Sequence, residues 1–96
     1  LRVVITALAK QDIREVLDWY GKQSSKAPLA FVNELEDIVY GIQQHPKRWP
    51  PLDKEDRRRF AIFRNFPYEL IDLPTQNQIT ILAVRHQKRR PLEELE

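Results

Sequence analysis

A chain of 96 residues, 42% hydrophobic and 31% charged, has room for one core and the composition of an ordinary globular protein. It has no cysteine, which excludes disulfides and thiolate metal sites and fits a reducing, cytoplasmic setting. No apolar run reaches the ~18 residues of a membrane span, and no signal peptide opens the chain, so no membrane partner is expected.

The net charge of +2 is unevenly placed. Residues 1–45 carry five Lys/Arg against six Asp/Glu, residues 46–92 carry eleven against five, and the last four residues add three glutamates. The basic half is where a polyanion or an acidic protein would dock, and a solvated charged face is the alternative.

In chain order, Arg2 to Thr6 is short and β-branched and reads as a strand. Thr6 is placed to cap a following helix. Ile13, Val16, Leu17 and Tyr20 fall on one face of that helix, and Asp12, Arg14, Glu15 and Asp18 on the other. Gly21 to Ser25 breaks it. Pro28 suits the first turn of a second helix, with Ser25 as its cap, and Phe31, Leu35, Ile38, Val39 and Ile42 repeat the helical spacing to about Gln44. The two helices form an antiparallel hairpin.

His45 to Pro51 holds three prolines and predicts an extended loop, with Trp49 plugging the core edge and His45 offsetting a helix C-terminal dipole. After it the period changes. Arg57–Arg64, Tyr68–Leu73 and Gln78–His86 read as strands of an antiparallel meander, joined by Asn65-Phe66-Pro67 and by Pro74 to Asn77. The expected architecture is α+β over a single domain, residues 1–96. Its order is β-α-α-β-β-β, with the helical hairpin packed on one face of an antiparallel-rich sheet. Strict alternation would set Ile79 and Ile81 against Leu82 and Val84, leaving apolar residues on both faces, so the second face is expected to be partly covered.

The opening "TALAKQDIREVLDWY", the segment "FRNFPYELI" and the closing "AVRHQKRRP" together resemble the RelE/ParE superfamily of bacterial toxins. These are the toxin halves of type II toxin–antitoxin modules, also described as plasmid-stabilisation proteins. The resemblance runs from Thr6 to Pro91 and rests on the combination of "FPY" with His86, Arg89 and Pro91, no single motif being specific. It implies a cognate antitoxin as partner, no cofactor, and one of two activities. One branch cleaves mRNA in the ribosome; the other binds DNA gyrase and stalls it.

An endoribonuclease would need a base for the ribose 2′-hydroxyl, cations for the phosphorane and an acid for the leaving oxygen. Arg64, Arg85, His86 and Arg89 are the candidates, with Arg58 and Arg59 in reserve. Alternation sends Arg85 and His86 to opposite faces unless the strand bulges.

Two departures from the cleaving branch stand out. Where it often reads Tyr-Arg-Leu-Val-Tyr, this chain reads "YELID", with Glu69 in the arginine's place and Asp72 in the second tyrosine's. The closing "PLEELE" also lacks the tyrosine common near the end of those toxins. The resemblance is therefore nearer the gyrase-binding branch, with mRNA cleavage as the alternative.

For docking of target or antitoxin the candidates are Arg57, Arg58, Arg59, Arg85, Lys88, Arg89 and Arg90. His86 has two readings: it closes a strand end through a hydrogen bond, or it takes part in target contact or acid–base chemistry. A nucleic-acid-binding module using Phe63, Phe66 and Tyr68 is a third function class, but the cations are not interleaved with these rings. Two histidines far apart give no metal-ligand spacing.

Overall fold

The computed structural model describes residues 2–45, 51 and 54–88, so the expectations for Trp49, Arg89, Arg90 and Pro91 fall outside the described residues. The elements are β1 (Arg2–Ile5), α1 (Ala7–Gly21), α2 (Ala27–Gln44), β2 (Arg59–Ile62), β3 (Tyr68–Pro74) and β4 (Gln78–His86). The architecture is α+β, with the two helices packed on a mixed four-stranded sheet of order β1-β4-β3-β2. The last three strands are the expected meander, and β1 closes the sheet by lying parallel to β4, with Val3 opposite Ile79 and Ile5 opposite Ile81.

Thr6 caps α1 as its sequence position suggests, its hydroxyl accepting from the Ala9 amide at 3.1 Å. For α2 the cap differs from expectation. Lys26 is the N-cap with no side-chain bond, and it is Ser24, not Ser25, that accepts the Lys26 amide, at 3.1 Å. Pro28 still stands in the first turn, where its missing N–H costs nothing.

The core lies between the helices and one sheet face. Val16, Phe31, Ile42, Ala61, Phe63, Leu70, Ile79, Ile81 and Val84 are buried there, and Ile13, Leu17, Tyr20, Leu35, Ile38 and Val39 pack against them half-buried. Phe31 stacks on Phe63 at 4.7 Å between ring centroids and meets Phe66 edge-on at 5.2 Å, while Tyr20 meets Phe66 edge-on at 5.1 Å. These rings tie both helices to the β2–β3 connection. Each such pair contributes about 0.5–1.5 kcal/mol beyond area burial.

Three polar residues depart from the expected pattern. Asp12, assigned above to the solvent side of α1, is buried and accepts from the Val84 amide at 3.0 Å. Arg59 and Asp72, directly opposite on β2 and β3, form a buried ion pair at 2.6 Å whose side chains are 3% and 1% exposed.

The pairing of β3 with β4 also shifts, since Ile71 faces Ala83 but Asp72 faces Ile81. Leu82 is thus the extra residue of a β-bulge, which inverts the alternation beyond it. Val84 therefore joins Ile79 and Ile81 in the helix-side core, correcting the strict alternation read from the sequence. The second face is not open at its centre: Ile71 and Ala83 are fully buried, with Phe60 and Leu82 packed against them.

Candidate functional site

The candidate residues lie at strand ends, Arg57 to Arg59 where β2 begins, Arg64 just past its end, and Arg85 and His86 at the end of β4 beyond the bulge. β1 stops at Ile5, so the β4 backbone beyond Ile81 needs other partners. Thr6 gives its amide to the Ile81 carbonyl at 3.1 Å and its hydroxyl to the Leu82 carbonyl at 3.1 Å, and Asp12 takes the Val84 amide. A hydroxyl has one proton and two lone pairs, so Thr6 can cap α1 and hold the bulge together.

Past the bulge, Arg85 and His86 take different cross-strand partners, although both line one groove. Arg85 sits opposite Glu69, its Nε donating to the Glu69 carboxylate at 3.2 Å, with side-chain exposures of 6% and 12%. His86 sits opposite Tyr68 and meets its ring edge-on at 5.3 Å, and its Nδ1 accepts from the Lys88 amide at 3.3 Å. It borders a groove of 510 Å³ between α1 and the ends of β3 and β4, with Glu15, Trp19, Tyr20, Tyr68 and Lys88. Burial, and then the neighbouring Tyr68, push the Tyr20 phenol above its ordinary 10.0.

Arg64 belongs to a different groove, of 610 Å³, between α2 and the end of β2. Glu34 of α2 holds this hairpin end. Its carboxylate accepts the backbone amides of Arg64 and Asn65 and, at 3.1 Å, the Asn65 side-chain amide.

Among the remaining cations, Arg57 and Lys88 are exposed. Arg58 forms a two-pronged pair with Asp56, at 2.9 Å from Nε and 2.7 Å from the terminal nitrogen. These bonds hold the Asp56 carboxyl at about 2. Arg59 is buried against Asp72 and leaves the surface set. Burial pushes Asp72 above its ordinary 3.8, against the pull of Arg59.

Among the described residues the candidate catalytic set is only partly brought together: Arg85 and His86 line one groove, where Arg85 is engaged by Glu69, and Arg64 lines the other. The exposed docking candidates are Arg57 and Lys88, joined by Arg64. Sequence reasoning missed Asp12 and Glu34. Asp12 lies on the stripe of Ala9 and Val16, the one signal that it faces inward. Among the described residues no group of three or more His, Asp or Glu could hold a metal ion, and no helix is long and apolar enough to cross a membrane.

Two helices thus lie on one face of a β1-β4-β3-β2 sheet, with cations at the strand ends. Residues 3–91 match the family model described as "ParE toxin of type II toxin-antitoxin system, parDE", and the chain belongs to that family. The fold is similar to a solved chain titled "Chromosomal ParDE TA system from P. aeruginosa". The TM-score is 0.75 at 17% identity, over 90% of this chain and 95% of that one. No match was found among curated protein sequences.

Proposed function

We propose that this member of the ParE toxin family inhibits growth by binding DNA gyrase or a related topoisomerase, and that a cognate antitoxin neutralises it. The observation that supports binding over cleavage is the Arg85–Glu69 pair. A nuclease needs its cations free to meet the developing phosphorane charge. Arg85 instead spends its charge on a carboxylate of its own sheet, and that carboxylate would repel a scissile phosphate. His86, the natural acid–base candidate, borders the groove on the α1 side, apart from Arg64.

The antitoxin reading is supported by the family and by the exposed cations Arg57, Arg64 and Lys88. An acidic, largely extended segment suits them, since paired opposite potentials steer association. Arg89 and Arg90 belong to the same proposal by sequence.

The test is expression without antitoxin, with a DNA-damage reporter and mRNA integrity followed together, and a supercoiling assay on purified gyrase. The expected result is reporter induction and loss of supercoiling with intact mRNA. Ribosome-dependent mRNA cleavage with a silent reporter would overturn the gyrase reading in favour of an endoribonuclease.

A further inference from the structure

Trp19 stands in the last turn of α1 and is 58% exposed. The core stripe of that helix runs through Ile13, Val16, Leu17 and Tyr20, so the indole lies beside the stripe and the fold does not bury it. It borders the 510 Å³ groove between α1 and the ends of β3 and β4. Tyr40, also exposed, lines neither groove. An exposed indole on a concave, aromatic-walled surface suits the anchor of a protein interface, since it offers a large rigid contact at small entropic cost. The wall beside it is built from rings. Tyr20 meets Tyr68 edge-on at 6.3 Å, and Tyr68 meets His86 at 5.3 Å, so His86 packs against Tyr68 and holds its ring. Neither phenol oxygen has a hydrogen-bond partner among the described residues. No side-chain oxygen there is both buried and unsatisfied, so both hydroxyls reach solvent. Burial keeps the Tyr20 phenol protonated and able to donate.

Charge separates this groove from the cations assigned above to the antitoxin. Asp12 and Arg85 spend their charges within the fold, on the Val84 amide and on Glu69. The other charged residues of the groove are Glu15 and Lys88, one of each sign. Such a groove gives an acidic segment no net attraction. It fits an uncharged one, whose apolar side chain covers the indole while its backbone carbonyls accept from the phenols.

We propose that this groove contacts the topoisomerase target, receiving an uncharged, apolar-tipped loop of it with Trp19 as the anchor. This rests on the gyrase reading above and names the surface that carries it. Trp19 and the two phenols touch the target, whereas His86 serves by packing Tyr68.

The test measures the affinity of the full chain for purified gyrase and, separately, for its antitoxin. Trp19→Ala should weaken gyrase binding at least about tenfold. It should change antitoxin affinity by less than about threefold, as a surface substitution outside an interface does. Tyr68→Phe, which removes only a hydroxyl, is a second and gentler variant and should weaken gyrase binding by about two- to tenfold. Tyr40→Ala, outside the groove, should leave it unchanged. In a Trp49→Phe background Trp19 is the sole indole, and gyrase should shield its fluorescence from acrylamide. Unchanged gyrase affinity in Trp19→Ala overturns the proposal and leaves the gyrase reading standing. Equal losses for gyrase and antitoxin overturn it in favour of an antitoxin site. Shielding of Trp19 by a single-stranded oligonucleotide, and not by gyrase, overturns it in favour of nucleic acid. A wild type that binds no gyrase overturns both the proposal and the reading it rests on.

Discussion

The Asp12 carboxylate accepts a hydrogen bond from the Val84 amide at 3.0 Å, joining the first turns of α1 to the end of β4 across 72 positions of sequence. This bond serves a backbone group that the bulge at Leu82 and the end of β1 leave without a ladder partner. It sits one residue before Arg85 and two before His86, so it helps fix which face each presents.

Removing that acceptor should therefore be costly. Asp12→Ala leaves a buried N–H unpaired and should destabilise by ~1–3 kcal/mol. Asp12→Asn retains an oxygen acceptor and should lose less. Urea unfolding of the two variants checks this, and equal stability of wild type and Asp12→Ala would mean the bulge does not depend on α1.

How far the sequence reaches can be judged from the same region. The α1 stripe, the α2 stripe and the extent of β4 follow from periodicity, because burial of apolar side chains repeats every 3.6 or 2 residues. The bulge does not follow, since one extra residue leaves no mark on "ITILAVRH" yet reverses every face beyond it. Asp12 fails for a related reason: a carboxylate on an amphipathic helix is ordinarily solvated, and only the tertiary need of Val84 draws it inward. Arg59 sits in a run of three arginines that reads as uniform surface charge, whereas its strand position points it at Asp72. The fold was legible because it rests on pattern; the partners of the charges were not, because they rest on register.

The buried Arg59–Asp72 pair makes a second prediction. Breaking it from one side, by Arg59→Met or Asp72→Leu, leaves a buried charge uncompensated and should cost ~3–5 kcal/mol. Replacing both at once should cost less than either single change, since desolvation of both ions is then avoided. A double-mutant cycle by chemical unfolding decides it. A double variant as unstable as the sum of the singles would mean the two side chains act independently.

Asp56 and Asp72 should also respond to acid with opposite signs. Hydrogen bonds from Arg58 hold Asp56 at about 2, below its ordinary 3.8. Its contribution to stability is present above 3.8 and lost as the pH falls through about 2. Burial raises Asp72, so its contribution is largest below the ordinary value and lost as pH rises through the folded one. Carboxyl NMR titration should show Asp56 protonating after Asp72 as acid is added. Asp56→Asn should flatten the stability profile between pH 3.8 and about 2. The reverse order of titration would contradict the two environments.

The last prediction concerns His86, which occupies the position most suggestive of catalysis. Its contacts are those of a strand end: an edge-on meeting with Tyr68 and a Lys88 amide on Nδ1. The nearest guanidinium in sequence, Arg85, is held by Glu69. If His86 were the general acid or base of a nuclease, His86→Ala should lower activity by ~10²–10⁴-fold. A residue that only packs the strand end should, when truncated, cost about 0.5–1.5 kcal/mol of ring contact and leave target binding in place. Growth inhibition by His86→Ala should thus stay within about tenfold of wild type at matched folded protein, well short of the loss that acid–base removal brings. Induction titrations with both chains quantified, and far-ultraviolet circular dichroism to confirm folding, provide the measurement. Complete loss of inhibition in a folded His86→Ala variant, with mRNA cleavage lost alongside it, would return His86 to the centre of an active site and displace the binding mechanism.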